Sequence, residues 1–196
     1  MHRNKIIGLL LALALAFSLA ACQTAAEEPQ STPQAEQGQE SQEPITLQIF
    51  APEELMGVMA DAVYRYKGEA SSVSIKVSYD EGMVQTARVE AGVACDIFIS
   101  DEESFMDWLD IEAGYEANPN GNDCIVSETR TAFLHGPGNE AYSTEELSEG
   151  EVYESDFSAA VCRTTAYSYE AGRFIEFLAS GSVDDVYEAY GYAPIR

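Results

Sequence analysis

Acidic side chains stand at a corner where a strand is predicted to run into a helix. The stretch VSYDEGMVQTARVEAG, residues 77–92, places Asp80, Glu81 and Gly82 directly before the helical pattern. A helix N-terminus carries unpaired backbone N–H groups and a partial positive charge, so it attracts an anion. Here carboxylates of the chain itself occupy that place. The corner is interpreted either as a helix that caps itself or as an anion site whose usual occupant has been replaced.

Two further acidic corners follow predicted strands. Glu53 and Glu54 come after the first strand, and Asp101 follows the apolar run at residues 96–100. Ligands of open parallel sheets collect outside the carboxyl ends of the strands, so these corners mark the expected site. Carboxylate oxygens suit a hard cation such as calcium, which gives a candidate metal set of Glu53, Glu54, Asp80, Glu81 and Asp101. Acidic residues are common throughout the chain, and self-capping is therefore the preferred interpretation of Asp80 and Glu81.

Other catalytic or metal-binding chemistry has few residues to draw on. His135 is the only histidine after the N-terminal segment, which leaves little for a histidine metal site or a Ser-His-Asp triad. The spacing of Cys95, Cys124 and Cys162 matches no zinc pattern, and at most one disulfide can form among them. With no nucleophile–base pair visible, we expect no enzyme, and which cysteines pair is left open.

The elements that must position these corners alternate along the chain. Short apolar strands are each followed by a segment of helical periodicity, which favours βαβ units and a mostly parallel sheet with flanking helices. The predicted strands are Thr46–Ala51, Val73–Ser78 and Asp96–Ser100, and the helices start at Pro52 and span Gly82–Ala91 and Glu102–Leu109.

Beyond Gly114 the pattern is weaker. Further strands are predicted at Cys124–Val126, Thr131–Leu134 and Ser158–Cys162, and one helical turn at Glu145–Leu147. Two helices are predicted near the end of the chain, at Tyr167–Leu178 and Val183–Tyr190, with Gly191 as the residue that terminates the second.

The N-terminal residues indicate export and lipid anchoring. A basic start and an apolar run end in Leu19-Ala20-Ala21-Cys22, which is typical of a lipoprotein signal at residues 1–21 and an acylated Cys22. Residues 22–44 contain no aromatic and are expected to form a disordered tether. We therefore expect one domain, residues 45–196, held at the extracytoplasmic face of the cell membrane. The formal net charge of −24 disfavours nucleic acid as a partner.

Several blocks resemble a known family. GVACDIFIS at residues 92–100, FMDWL at 105–109, TLQIFAP at 46–52 and RFIEFLASGSVDDVYEAYGYAPI at 173–195 resemble the molybdate-binding protein of bacterial ABC importers, a type II solute-binding protein. The resemblance implies a periplasmic-binding-protein-like α/β fold of two lobes. It also implies that a tetrahedral oxyanion, molybdate or tungstate, is captured between the lobes and delivered to a membrane permease, with no cofactor.

The chain departs from this pattern in its second lobe. Residues 45–134 match the first lobe and residues 158–196 the closing strand and helices, whereas residues 135–157 offer only a remnant of the second lobe. Tyr153, in a Val-Tyr-x-x-Asp segment, matches the tyrosine with which the family contacts its oxyanion. An ordinary loop tyrosine is an equal alternative. The missing second lobe also leaves apolar surface that makes dimer formation possible.

The expected ligand residues are changed as well. By resemblance, serines should stand at Glu54 and at Glu81 or Gly82, but the chain has carboxylates and a glycine there. Each carboxylate repels each charge of an oxyanion by about 1 kcal/mol at about 4 Å in water-like dielectric. The sequence thus predicts a solute-binding protein whose oxyanion binding is weakened or lost. The alternatives are a one-lobe surface interaction module and an acidic cation site on the same scaffold.

Overall fold

The computed structural model describes residues 44–136 and 156–196, which build one mixed sheet with helices on both faces. The sheet has six strands in the order β2-β1-β3-β5-β4-β6. The strands are β1 Ile45–Ala51, β2 Val73–Tyr79, β3 Ile97–Ser100, β4 Thr131–His135, β5 Asp156–Val161 and β6 Ala193–Pro194.

Five α-helices flank this sheet within the described residues. They are α1 Met56–Glu69, α2 Gly82–Glu90, α3 Glu103–Leu109, α4 Ser168–Leu178 and α5 Asp184–Ala189. Short 3₁₀ turns occupy Glu53–Leu55, Ile111–Ala113, Ser127–Thr129 and Gly181–Val183. None of the helices in the described ranges is long and apolar enough to cross a membrane.

The first three strands are parallel, as the strand–helix alternation predicts. β1 pairs with β2 in register from Ile45 opposite Val73 to Ala51 opposite Tyr79, and with β3 through Ile49 and Phe50. Helices α1 and α2 are the crossovers that parallel pairing requires. The carboxyl ends of β1, β2 and β3 therefore meet at one edge of the sheet.

The other half of the sheet is antiparallel, and here the expectation of a mostly parallel sheet does not hold. β5 runs antiparallel to both β3 and β4, and β6 is antiparallel to β4. His135 at the end of β4 stands opposite Asp156 at the start of β5. A chain that leaves the sheet and re-enters it at the same edge runs antiparallel without a crossover helix. The strand predicted at Cys124–Val126 is reduced to one bridge between Ile125 and Cys162.

Alternate residues of the central strands fill two cores. Leu47, Ile49 and Ile97 point to the face covered by α1, α4 and α5, whose Met59 and Phe174 are fully buried there. The opposite core contains Phe50, Phe98, Met106, Leu109 and Ile125. Each such side chain contributes about 1.5–3 kcal/mol when it leaves water, so both sheet faces are held by helices.

Part of the predicted organisation lies outside the described residues. This applies to the signal segment, Cys22, the tether, the turn predicted at Glu145–Leu147, and Tyr153. The described residues belong mostly to the predicted first lobe and its closing segment; of the predicted remnant at 135–157, only residues 135–136 and 156–157 are described. The boundaries of 1–21, 22–44 and 45–196, and the shortened second lobe, remain predictions.

Candidate functional site

The carboxyl edge of the parallel strands gathers the three acidic corners predicted from the sequence. β1, β2 and β3 end there at Ala51, Tyr79 and Ser100. Because β4 is parallel to β3 through their shared neighbour β5, His135 also lies at this edge, with its Nδ1 2.6 Å from Asp156 Oδ1. The topology therefore brings the three acidic corners and His135 to one edge of the sheet, the kind of edge at which ligands of open parallel sheets collect.

The first corner is a tight turn with an exposed acidic rim. Pro52 has an extended backbone (φ −60°, ψ 151°) and precedes the 3₁₀ turn. The sequence predicted that Pro52 begins the helix, whereas α1 begins at Met56. The Leu55 N–H donates to the Pro52 carbonyl oxygen at 3.2 Å, and the Leu55 side chain is fully buried. Leu55 thus anchors the turn, while Glu53 and Glu54 are exposed.

The second corner does not cap its own helix. Asp80 Oδ1 accepts a hydrogen bond from the Glu81 N–H at 3.0 Å, and the Glu81 side chain makes no capping bond to α2. Among the described residues, no side chain accepts from the N–H groups of Gly82, Met83 or Val84. Self-capping was therefore the wrong interpretation, because Asp80 turns to the N–H of the residue before the helix.

Gly82 is required by packing at this corner. A Cβ at position 82 would lie 2.7 Å from Cε2 and 2.8 Å from Cδ2 of Phe105, the ring that α3 lays against the start of α2. Contacts this short force the ring or the helix to move. Gly82 is thus explained by the approach of an aromatic side chain, whatever it contributes to ligand binding.

The third corner holds a carboxyl that is partly withdrawn from water. Ser100 is buried, and its Oγ accepts from the Glu102 N–H at 3.0 Å, which bends the chain after β3. Burial raises the pKa of the Asp101 carboxyl above its usual range, and Glu54 and Glu102 raise it further, against a hydrogen bond from its own N–H. Asp101 and Glu54 are thus close enough to repel each other.

Tyr192 joins the first and third corners and was missed by sequence reasoning. Its hydroxyl donates to the Glu54 carbonyl oxygen at 3.2 Å. Burial raises the pKa of the Tyr192 hydroxyl, as do the charges of Glu54 and Asp101. The Gly-Tyr-x-Pro tail was a visible signal, but only the packing of α5 against α1 brings it beside the turn that follows β1.

Gln85 is the second residue that sequence reasoning missed. It is buried on α2, and its Nε2 donates to the carbonyl oxygens of Ala51 at 2.8 Å and Ser78 at 3.0 Å. The Gln85 amide therefore ties α2 to the ends of β1 and β2. Its Oε1 is buried with no partner in the described part of the chain. A glutamine on the otherwise buried face of a predicted helix was the signal.

The predicted site residues are brought together only in part. Glu54 and Asp101 are neighbours beside Tyr192, whereas Glu53 and Glu81 are exposed on the rim. Within residues 44–136 and 156–196, no three His, Cys, Asp or Glu side chains are arranged to hold a metal ion. The five carboxylates of the candidate metal set therefore do not form a ready-made cation site.

Comparison with known proteins finds relatives in structure alone. Neither family models nor curated proteins match the sequence. The substrate-binding domain of a putative molybdenum ABC transporter from Clostridium difficile aligns with a TM-score of 0.61 at 17% identity, covering 78% of this chain and 100% of that one.

Two other solved structures share the arrangement. The periplasmic molybdate-binding protein of Azotobacter vinelandii has a TM-score of 0.59 at 9% identity, over 76% of this chain and 100% of that one. Iron-bound HitA from Pseudomonas aeruginosa has a TM-score of 0.54 at 10% identity, over 78% of this chain and 87% of that one. The chain therefore has a periplasmic-binding-protein fold, which the sequence resemblance predicted.

Proposed function

We propose that this chain is the solute-binding protein of an ABC importer, lipid-anchored through Cys22 at the extracytoplasmic face of the membrane and partnered by a permease. It descends from a binder of molybdate or tungstate. The observation that carries the proposal is the β2-β1-β3 arrangement, whose three carboxyl ends form one edge in a fold shared with molybdate-binding proteins.

The same edge argues for weakened oxyanion binding. Glu54 and Asp101 raise the local negative charge, and Glu81 stands beside the unpaired N–H groups of α2. A doubly charged oxyanion that approached two of these carboxylates would be repelled by a few kcal/mol even in water-like dielectric. The backbone donors of α2 are in place, so the carboxylates are what opposes binding.

Isothermal titration of the chain from Gln23 onward with molybdate, tungstate, sulfate and calcium tests this proposal. We expect no oxyanion affinity tighter than millimolar. Micromolar binding of molybdate would contradict the role given to Glu54 and Glu81.

Restoring hydroxyls sharpens the titration. In the double variant Glu54→Ser, Glu81→Ser, molybdate affinity should rise by at least about tenfold, because two repulsions are removed and two donors added. The control is Glu128→Ser, an exposed acid in the 3₁₀ turn beside the opposite end of β5. It should leave molybdate binding unchanged, and an equal gain there would show a general effect of net charge.

A one-lobe interaction module is the second candidate function. Met56, Met83 and Val84 are exposed at the same edge as the acidic rim, with exposures of 51%, 70% and 40%. Apolar side chains beside charged ones favour a protein surface as partner. Two results together would favour this candidate over oxyanion transport. Titration would detect no binding of any of the four ions, and light scattering would detect a dimer that Met83→Glu abolishes. Heat from calcium alone would support the cation alternative.

Lipid anchoring has its own test. Cys22→Ser should move the protein from the membrane fraction to the soluble extracytoplasmic fraction, because it removes the acylated thiol. Retention of the variant in the membrane would contradict the anchor and leave the solute-binding proposal untouched.

A further inference from the structure

Three cysteines that sequence reasoning could not pair lie around one strand end. Cys95 and Cys162 are 3% and 1% exposed and belong to the core between the sheet and α3. Cys124, half-buried, packs against the same core. This cluster lies at the edge opposite the candidate site, because β3 begins there and the antiparallel β5 ends there.

The backbone brings Cys95 within bridging distance of Cys162. The Cys162 N–H donates to the Asp96 carbonyl oxygen at 2.9 Å, which extends the pairing of Ile97 with Val161 by one residue. Cys95 is therefore one residue from the position opposite Cys162. Strand spacings put their Cα atoms about 6 Å apart, inside the range that disulfides span.

Cys95 and Cys162 are both fully buried in this core, whereas Cys124 lies at its margin. The Cys95 thiol donates to the Ile97 carbonyl oxygen at 3.1 Å. The neighbouring Cys95 thiol and burial raise the pKa of the Cys162 thiol well above its usual range, and Cys124 contributes least. The Cys124 N–H donates to the Leu109 carbonyl oxygen and its carbonyl oxygen accepts from the Arg163 N–H, both at 2.9 Å, so its backbone is also near Cys162 and only its side chain lies at the margin of the core. Its thiol pKa is raised by burial and by Glu90 and Asp123. Cys162 thus has one nearest thiol partner, and Cys124 is the remaining cysteine.

We propose that Cys95 and Cys162 form the single disulfide of this domain and that Cys124 stays a free thiol. The two thiols give up two protons and two electrons, and an S–S bond forms between them. The S–S bond of the oxidant, a low-molecular-weight disulfide or the disulfide of a thiol oxidoreductase, breaks and yields two thiols. In cells this depends on the proposed extracytoplasmic location, where such oxidants act. The bond would close a loop with 66 residues between the two cysteines and fix β3 to β5.

Peptide mapping of the full chain tests the pairing. The protein is isolated from the cell envelope, its free thiols are alkylated in denaturant, and it is digested without reduction. Trypsin leaves Cys95 and Cys124 together on residues 89–130, so a second digestion after acidic residues must separate them. We expect a cross-link between the Cys95 and Cys162 peptides and alkylated Cys124. A cross-link that contains Cys124 overturns the proposal.

A second arm separates geometry from location. Purified chain is refolded with oxidised glutathione and mapped in the same way. If the Cys95–Cys162 bond forms here but not in cells, the pairing stands and the proposed location is what fails. If both thiols remain alkylatable after refolding, the pairing is overturned.

Variants supply the stability readout. Cys124→Ser should keep the cross-link, and dithiothreitol should lower its Tm by roughly 5–15 °C. Cys95→Ser should lose both the cross-link and the response to dithiothreitol. If Cys95→Ser does not fold, peptide mapping of the unaltered chain and of Cys124→Ser still decides whether the bond forms. If dithiothreitol does not change the Tm of Cys124→Ser, the proposed bond is contradicted.

Discussion

At Gly82 the ring of Phe105 takes the space that a side chain would need, and this contact explains the glycine without reference to any ligand. The nearby carboxyl of Asp101 shows the opposite situation, a polar group whose neighbours oppose its charge. Burial and two acidic neighbours raise its pKa, so its ionised form is a cost that the fold carries at neutral pH. Both residues occupy the candidate site, and each can be tested by one substitution.

Gly82→Ala should destabilise the protein by about 1–3 kcal/mol, because the added Cβ overlaps the Phe105 ring. Urea denaturation measures the change. The matched control is Gly172→Ala in α4, where nothing lies within 4 Å of the added carbon. That variant should gain up to about 1 kcal/mol through helix propensity. Equal effects of the two substitutions would contradict the packing explanation.

Asp101→Asn should raise the Tm at pH 7 and lose this advantage as the pH falls toward about 4. The folded pKa lies above the ordinary 3.8, so the folded state binds the proton more tightly than the unfolded state. The destabilising contribution is therefore full above the folded pKa and absent below the unfolded pKa. We expect less than about 1 kcal/mol, since the carboxyl is partly exposed. Thermal melts of both proteins from pH 4 to 8 measure this difference in Tm. If Asp101→Asn raises the Tm equally at every pH, the raised pKa of Asp101 is contradicted.

Helix α2 is the element whose position defines the site, and a single amide holds it. Gln85 joins the carbonyl oxygens at the ends of β1 and β2, two strands that are parallel neighbours. Without that amide both carbonyl groups lose a donor in a region that is largely closed to water. The position of the α2 N-terminus, with its free N–H groups, therefore depends on Gln85 in the second turn of the helix.

Gln85→Leu should destabilise the protein by about 2–4 kcal/mol, because two carbonyl oxygens lose their donor and only the orphaned Oε1 is relieved. Gln85→Glu should cost more at pH 7 than at pH 5, since a carboxylate cannot donate to either carbonyl. Urea denaturation at both pH values measures this difference. If Gln85→Leu is neutral, α2 is held by its apolar contacts instead.

At the scale of the whole molecule, excess negative charge opposes compactness. The formal net charge is −24, and the acidic corners add to it at one edge. Ion pairs such as Arg130 with Asp107, at 2.6 Å, can neutralise only a minority of the 34 acidic residues, because the sequence has 10 lysines and arginines. Self-repulsion of this kind weakens as salt screens it over distances of about 8–10 Å.

Raising NaCl from low to physiological concentration should therefore raise the Tm by a few degrees, and choline chloride should act equally if screening is the cause. Calorimetry with both salts measures the effect. A calcium response far above that of NaCl at equal ionic strength would instead indicate specific binding and support the cation alternative. A Tm that falls with salt would show that attractive pairs dominate.

The sequence alone determined the local elements of the parallel half of the sheet and the edge at which the acidic corners lie. Alternation of apolar strands with amphipathic helices predicted β1, β2 and β3, because βαβ units leave parallel pairing as the favoured solution. It also placed Glu54, Glu81 and Asp101 at strand ends, since those positions depend only on local chain order. Their position at one edge of the sheet followed from parallel pairing.

Only the tertiary structure decided which distant residues meet. The antiparallel return of β5, the approach of Tyr192 to Glu54 and the contact of Phe105 with Gly82 join segments far apart in sequence. Such contacts depend on how the two cores pack and not on any local preference. The same reason explains why Asp80 and Glu81 could be assigned a capping role from sequence and yet make no such bond. It also explains why the proposal that Cys95 pairs with Cys162 needed the tertiary structure, in which both are buried in one core.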